Sequence, residues 1–541
     1  MEYRSGLTRR HALQGVFGVA GALIPASAAS AAYPPAPLLR QRLTLPSGLA
    51  IGEVDSTSAI LWARASGAGK MLATLTELDR DGVPMTGRFA HKRVVRGRWN
   101  TMQAATADSD FTAKLWLSAL KPGTEYRVEL QFEDEAGQLS ELETGSFGTP
   151  ERFAFPGRRR PQSFVWSGDS TGQGWGINPE LGGMRGYQAM LDAEPDFFIH
   201  SGDSIYADNP IQAEVAEPDG RLWRNLVTEE VSKVAETLAE FRGRHRYNQL
   251  DHNLRALYAK VPVLAQWDDH ETHNNWYPGQ ILDDDRYTER RVDVLAARAR
   301  QAWQENVPIG DASLSWRPGG FSPQRIYRKL SRGPALDVFA LDMRTFKSPN
   351  TDGKEPYETQ IFGPEQTDWL IREVSSSRAT WKVICNDLPL GLVVPDGKNQ
   401  ESLSNGDNGK PLGKELELAR VLQAFKRNKV RNVVWLTADV HYTAAHHYAP
   451  ERAAFTDFDP FWEFVSGPIS AGAFGPNVLD GTFGPKAVFV KTAEYPNQSP
   501  RQGDAHFFGE VKLDANDVLT VNLRDINGTT LFTQELQPAL R

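Results

Sequence analysis

The stretch WSGDSTGQG (166–174) is followed thirty-four residues later by HSGDSIYAD (200–208). Each copy of Ser-Gly-Asp-Ser closes a short apolar run, and the same ending recurs down the chain. SFVWSGD, DFFIHSGD, VPVLAQWDDHE, ALDVFALDMR, WKVICND and NVVWLTADVH are apolar stretches, almost all of which finish in Asp, His or Asn. Continuous runs of this length suit strands covered on both faces, and helical stretches fall between them at 286–305 and 364–377. The pattern predicts an α/β fold with a largely parallel sheet. In such sheets ligands collect where the carboxyl ends of the strands open into loops. The polar residues at those ends are therefore the first candidates for a site.

The rest of the chain bounds what that site can serve. Its 541 residues are too many for one ordinary domain, and 40% hydrophobic with 24% charged residues is a normal globular balance. A formal charge of −8 argues against a nucleic-acid partner, because no strong basic field would gather phosphates. RRRP (158–161) is the local exception and reads as a solvated linker. The single cysteine, Cys385, rules out an internal disulfide and reads as a small core residue. LTRRHALQGVFGVAGALIPASAASAA (7–32) carries a twin arginine, Arg9 and Arg10, a weakly apolar run and small residues suited to cleavage. Residues 1–32 are expected to be a twin-arginine signal that sends the folded protein to the periplasm or beyond, rather than an uncleaved anchor. No other segment is long and apolar enough to span a bilayer.

Residues 41–148 differ in pattern from the α/β stretch after them. GLAIGEV, SAILWARA, KLWLSAL and TEYRVELQFED are short, partly alternating runs between Gly, Asp and Pro turns, which predict an all-β domain. LSALKPGTEYRVEL (117–130) resembles the corner before a late strand of a fibronectin type III or Ig-like sandwich. Residues 149–162, rich in Pro, Gly and Arg, form the expected linker to an α/β domain at 163–541. Near the end, 505–538 alternates well and should add edge strands or a hairpin.

Two chemistries compete for the repeated motif. A Gly-Asp-Ser esterase needs one nucleophile, a histidine to take its proton and an acid to orient that histidine. It has no use for a second copy, and its late partner would be Asp-x-x-His, whereas this chain has Asp439 and His441 spaced Asp-x-His. A pair of cations instead needs oxygen and imidazole ligands converging from several strand ends, with a carboxylate able to bridge. Asp169, Asp203, Tyr206, Asp269, His270, Asp439 and His441 supply that set. The donors are mostly hard oxygens, suited to iron, calcium, manganese or magnesium rather than structural zinc.

In order, GDS, GDSIYAD, WDDHE and ADVHY are similar to the metallophosphoesterase motifs Gly-Asp, Gly-Asp-x-x-Tyr, Gly-Asn-His-Glu and Gly-His-x-His. With ADVHYTA and EFVSGPISAG, the chain resembles the PhoD-like alkaline phosphatase and phosphodiesterase family over nearly its whole mature length. GDSIYAD also resembles the tyrosine-bearing motif of purple acid phosphatases. The resemblance implies a four-layer αββα sandwich behind the N-terminal β domain. It further implies a binuclear or multinuclear centre of ferric iron with calcium, or with manganese or zinc in their place. Carried over by position, Asp169 binds the first metal, Asp203 bridges, Tyr206 is a phenolate ligand to ferric iron, and Asp269 serves the second metal. His270 touches the substrate as general acid or phosphoryl stabiliser. Asp439 and His441 stand where the superfamily has His-x-His. Asn386, or else Asp387, falls where a further histidine is expected. Asp268 is expected to support its neighbour rather than bind metal. Asn274 is assigned to substrate phosphate, with helix capping as an equal alternative, and Arg344 is a candidate for the same role, with a structural ion pair as the favoured alternative. His200, His273, His446 and His447 are expected to be structural.

The implied reaction is hydrolysis of small-molecule phosphate esters by a metal-bound hydroxide, outside the cytoplasm. A phospholipase-type or phosphotriester-directed diesterase on the same scaffold is the near alternative. A serine esterase or a non-catalytic adhesion module is the more distant one. Residues 395–411 are expected to form a mobile flap or a plain exposed loop.

Overall fold

In the computed structural model the apolar runs become the strands of two stacked sheets. The described residues are 42–79, 82–85, 92–99, 101–310 and 321–539. The expected leader (1–32) lies outside them. Gln162–Ser167, Phe197–Ser201 and Val263–Gln266 run parallel at the heart of a nine-stranded sheet. Leu336–Ala340, Trp381–Cys385, Val433–Thr437 and Phe461–Val465 run parallel in a seven-stranded one. Their inner faces meet in one apolar layer that includes Phe164, Trp166, Ile199 and Leu264 on one side and Val338, Val383, Leu436 and Phe464 on the other. Cys385 belongs to that layer and is fully buried.

Helices cover both outer faces, which is why the strands lack polar alternation. Pro364–Ser376 and Glu415–Arg427 pack on the seven-stranded sheet. Arg185–Asp192 and His252–Lys260 pack on the other. The result is four layers, αββα, as the resemblance implies. The tail forms three antiparallel strands, Phe507–Leu513, Leu519–Asp525 and Thr530–Leu536, that extend the nine-stranded sheet beside Gln162–Ser167.

The N-terminal region forms a small all-β sandwich around a core of Ile51, Leu61, Leu75, Val128 and Phe132. One of its layers, Leu49–Gly52, Ala59–Arg64 and Thr112–Leu117, is not separate from the larger sheet. Gly52 pairs in parallel with Val263, so the three strands continue the same nine-stranded sheet. Residues Arg42–Arg541 accordingly group as a single compact unit.

Lys114 sits on that continuation and donates from Nζ to the carbonyl of Ile309 at 2.8 Å and to that of Gln304. Burial, partly opposed by Glu53 and Glu305, lowers its pKa to about 7. Between that value and the 10.5 of a free lysine, the unfolded chain binds the extra proton, so stability rises with pH across this window. Lys114→Met should remove up to ~1.4 kcal/mol per pH unit of that slope, measured by denaturant melts from pH 7 to 10. An unchanged slope would show that this amine already carries its proton in the folded protein.

Candidate metal centre

The carboxyl ends of the parallel strands form one rim. There the chain turns sharply after Ser167, Ser201, Gln266 and Thr437, and Asp169, Asp203, Asp439 and His441 take positive φ of 67°, 48°, 63° and 58°. Left-handed backbone at four non-glycine residues is costly, and such strain persists where a site over-determines the conformation. The glycines of the motifs serve close packing. A Cβ on Gly202, itself at φ +99°, would lie 2.4 Å from Cβ of Asp268, and one on Gly467 would lie 2.2 Å from Oδ2 of Asp169.

Three sets of donor atoms converge, each within 4.8 Å of one another: Asp169, Asp203 and His441; Asp203, Asp269 and His270; Asp268, Asp269 and Asp439. Asp203 belongs to two sets, which suits a bridge. Asp268 belongs to the third, although the motif alone makes it a supporting residue. Tyr206 closes the first set, with its hydroxyl 2.9 Å from Nε2 of His441 and its ring centroid 4.2 Å from that of His270, the two planes tilted by 30°.

The set fits cations because several of its oxygens lack other partners. Both carboxylate oxygens of Asp169, Oδ1 of Asp269, Oδ2 of Asp268, Oδ1 of Asn386 and Oδ1 of Asp387 are buried without a hydrogen-bond donor among the described residues. Orphaned buried oxygens are uncommon and expensive. Among the protein groups alone, burial and then the charge of Asp268 push Asp203 and Asp439 well above the ordinary carboxylate range, and Asp169 likewise. A bound cation reverses both effects.

The two histidines of the centre are held in opposite states. His441 donates from Nδ1 to the Gly472 carbonyl, leaving Nε2 as a lone pair toward Asp169 and Tyr206, and burial lowers its pKa to about 4. That is the neutral form a metal binds. His270 donates from Nδ1 to Oδ1 of Asp208 at 2.7 Å. Burial opposes its charge, but Asp208 and Asp269 overcome burial and raise it to about 10. Asp208, in GDSIYAD but unassigned from the motif, is thus the carboxylate that orients His270; its Oδ2 accepts from the Asn274 amide.

Other expected residues fall elsewhere. Arg344 does not reach out toward a substrate. Its side chain is fully buried and closes on Asp268, Asp387, Glu401 and Asp439, with Nε 3.0 Å from Asp387. Lys347 joins Glu401 at 3.0 Å. Asn274 is exposed at the rim, with its backbone rather than its side chain tied to Asp208. Asn275 caps Asp269 through its backbone amide and donates from its side chain to Asp396. Residues 395–411 are not simply exposed, since 401–405 are buried and Glu401 anchors them to Arg344 and Lys347. No motif flags Glu401, which lies in a Gly- and Asn-rich loop. His200 and His446 are buried against Tyr187 and Glu463, in structural settings. Ser170 pairs with the Tyr187 hydroxyl, and Ser204 donates to Glu271. Neither meets an imidazole, so a serine nucleophile lacks its base.

Comparison with known proteins identifies the family and the fold. The chain matches the family model described as PhoD-like phosphatase over residues 164–523, and the PhoD-like phosphatase N-terminal domain over 29–151. It is 27% identical over 451 residues to alkaline phosphatase D of Bacillus subtilis (strain 168), covering 79% of this chain and 70% of that one. A solved structure of PhoD superposes with a TM-score of 0.66 at 20% identity, covering 91% of this chain and 90% of that one. A purple acid phosphatase from yellow lupin (Lupinus luteus) seeds gives 0.51 at 11% identity, covering 90% and 74%. These two structural likenesses show the shared fold. With the family model spanning more than half of its length, the chain belongs to the PhoD-like phosphatase family and is a phosphoester hydrolase.

Proposed function

We propose that the protein hydrolyses small phosphate mono- or diesters at a centre of two or more cations held by Asp169, Asp203, Tyr206, Asp269, Asn386, Asp439 and His441. The observation that carries this is the convergence of Asp and His donors from separate strand ends in three sets, each within 4.8 Å, with oxygens of Asp169 and Asp269 buried and unpartnered. The oxygen-rich set, with Tyr206 beside His441, supports ferric iron with calcium. When bound, such cations supply an activated water and neutralise charge on the phosphoryl group. The chain itself does the rest. Asp203 and Asp269 fix the floor, and the Tyr206 ring packs against one face of the His270 imidazole. His270, gripped at Nδ1 by Asp208, offers its Nε2 proton to the departing ester oxygen.

Two measurements test this. Hydrolysis of p-nitrophenyl phosphate and of bis-p-nitrophenyl phosphate should require added iron, calcium or manganese and stop with a chelator; full activity in chelator would overturn the proposal. Asp208→Asn should lower kcat about 10- to 100-fold with little change in KM, since it loosens the group that orients His270. A change confined to KM would move Asp208 out of the proton path. The twin arginine of 1–32 supports export to the periplasm or beyond. Replacing Arg9 and Arg10 by Lys should then hold the protein in the cytoplasm, and undisturbed export would contradict it. No described helix is long and apolar enough to cross a membrane.

A further inference from the structure

The two most exposed large apolar side chains among the described residues sit side by side in sequence. Phe153 is 84% exposed and Phe155 81%. Both belong to RFAFPGRRR (152–160), just before the strand Gln162–Ser167 begins. They therefore lie at the base of the sandwich, while the candidate metal centre lies past the other end of that strand. Scattered surface apolar residues need no explanation, but two bare aromatic rings two positions apart do.

Their surroundings are basic in a chain whose net charge is −8. The last two arginines of the run are paired, Arg159 with Asp517 and the half-exposed Arg160 with Glu125. Arg158 is exposed with no carboxylate partner among the described residues, and Arg152 lies 5.4 Å over the Phe153 ring. Pro156 and Arg159 also wall a groove of about 680 Å³ shared with Arg378, Lys429 and Arg431. Those three side chains are exposed, again without an ion-pair partner among the described residues.

We propose that this face docks the protein on an anionic lipid bilayer. Unpaired guanidinium and ammonium groups complement the negative surface, while the two rings enter the headgroup layer, where aromatic side chains are at home. A dissolved polyanion would use the cations and leave the rings in water, so the rings decide between the two. The inference stands apart from the metal assignments. Docked by its base, the protein would hold the centre away from the bilayer, toward dissolved esters rather than lipid headgroups.

The test is co-sedimentation of the mature protein with phosphatidylcholine vesicles, with and without phosphatidylglycerol. Binding should need phosphatidylglycerol and weaken in high salt. Arg152→Gln with Arg158→Gln should weaken it about 25-fold, taking about five-fold for each charge lost at the surface. Phe153→Ser with Phe155→Ser should weaken it at least about ten-fold. Far-UV circular dichroism should show all variants folded, since none of these side chains is buried. Equal binding to both vesicle types overturns the proposal. So does undiminished binding by the Phe variant, and if that variant and the parent both bind soluble polyphosphate, the face is a polyanion site.

Discussion

Asp203→Asn should lose bound metal and phosphoesterase activity together, with kcat/KM down on the order of a thousand-fold or more. The size follows from position. Asp203 is shared by the sets Asp169–Asp203–His441 and Asp203–Asp269–His270, so one substitution weakens both. Asparagine is the right probe because it tolerates the positive φ of 48° and can still accept the His270 amide that now bonds Oδ1 at 3.1 Å. The fold should therefore survive. Without metal, the variant should be at least as stable as the parent, because it removes one of several mutually repelling buried carboxylates. A variant that keeps both metal and rate would show that Asp203 does not bridge.

Arg344→Met should destabilise the protein by about 3–5 kcal/mol, seen as a large fall in the thermal midpoint and poor recovery of folded protein. Removing this cation leaves Asp268 and Asp387 fully buried beside Glu401 and the part-buried Asp439, with Lys347 reaching only Glu401. Arg344→Lys keeps the charge but cannot span four carboxylates with one ammonium, so it should fall between parent and Met variant. A residue that merely bound substrate would behave otherwise. Its loss would raise KM and leave the melting curve unchanged, and that result would return Arg344 to the cleft.

The fold was legible because each parallel strand is a short apolar run that ends in a polar residue. SFVWSGD and NVVWLTADVH place Asp169 and Asp439 at one rim on that pattern alone. That Asp169, Asp203, Asp269, His270, Asp439 and His441 gather at one rim was legible for the same reason, helped by the order of the motifs. What stayed hidden depends on contacts between distant segments. Arg344 at a strand end suits a phosphate contact or an ion pair, and what the sequence hides is one of its partners, Glu401, 57 residues away in a Gly- and Asn-rich loop that folds back onto it. Asp208 lies five residues past Asp203, where a helical or extended continuation would point it elsewhere. Only the loop's turn brings it to His270. The single pairing of Gly52 with Val263, which joins the N-terminal layer to the larger sheet, has no sequence signal at all.

The central claim is that the unpartnered oxygens of Asp169, Asp269 and Asn386 are balanced by bound cations. Elemental analysis of the purified, active protein tests it most directly. Two or more equivalents of metal per chain, falling in step with activity as chelator is added, is the predicted result. Full phosphoesterase activity with less than one equivalent would contradict it.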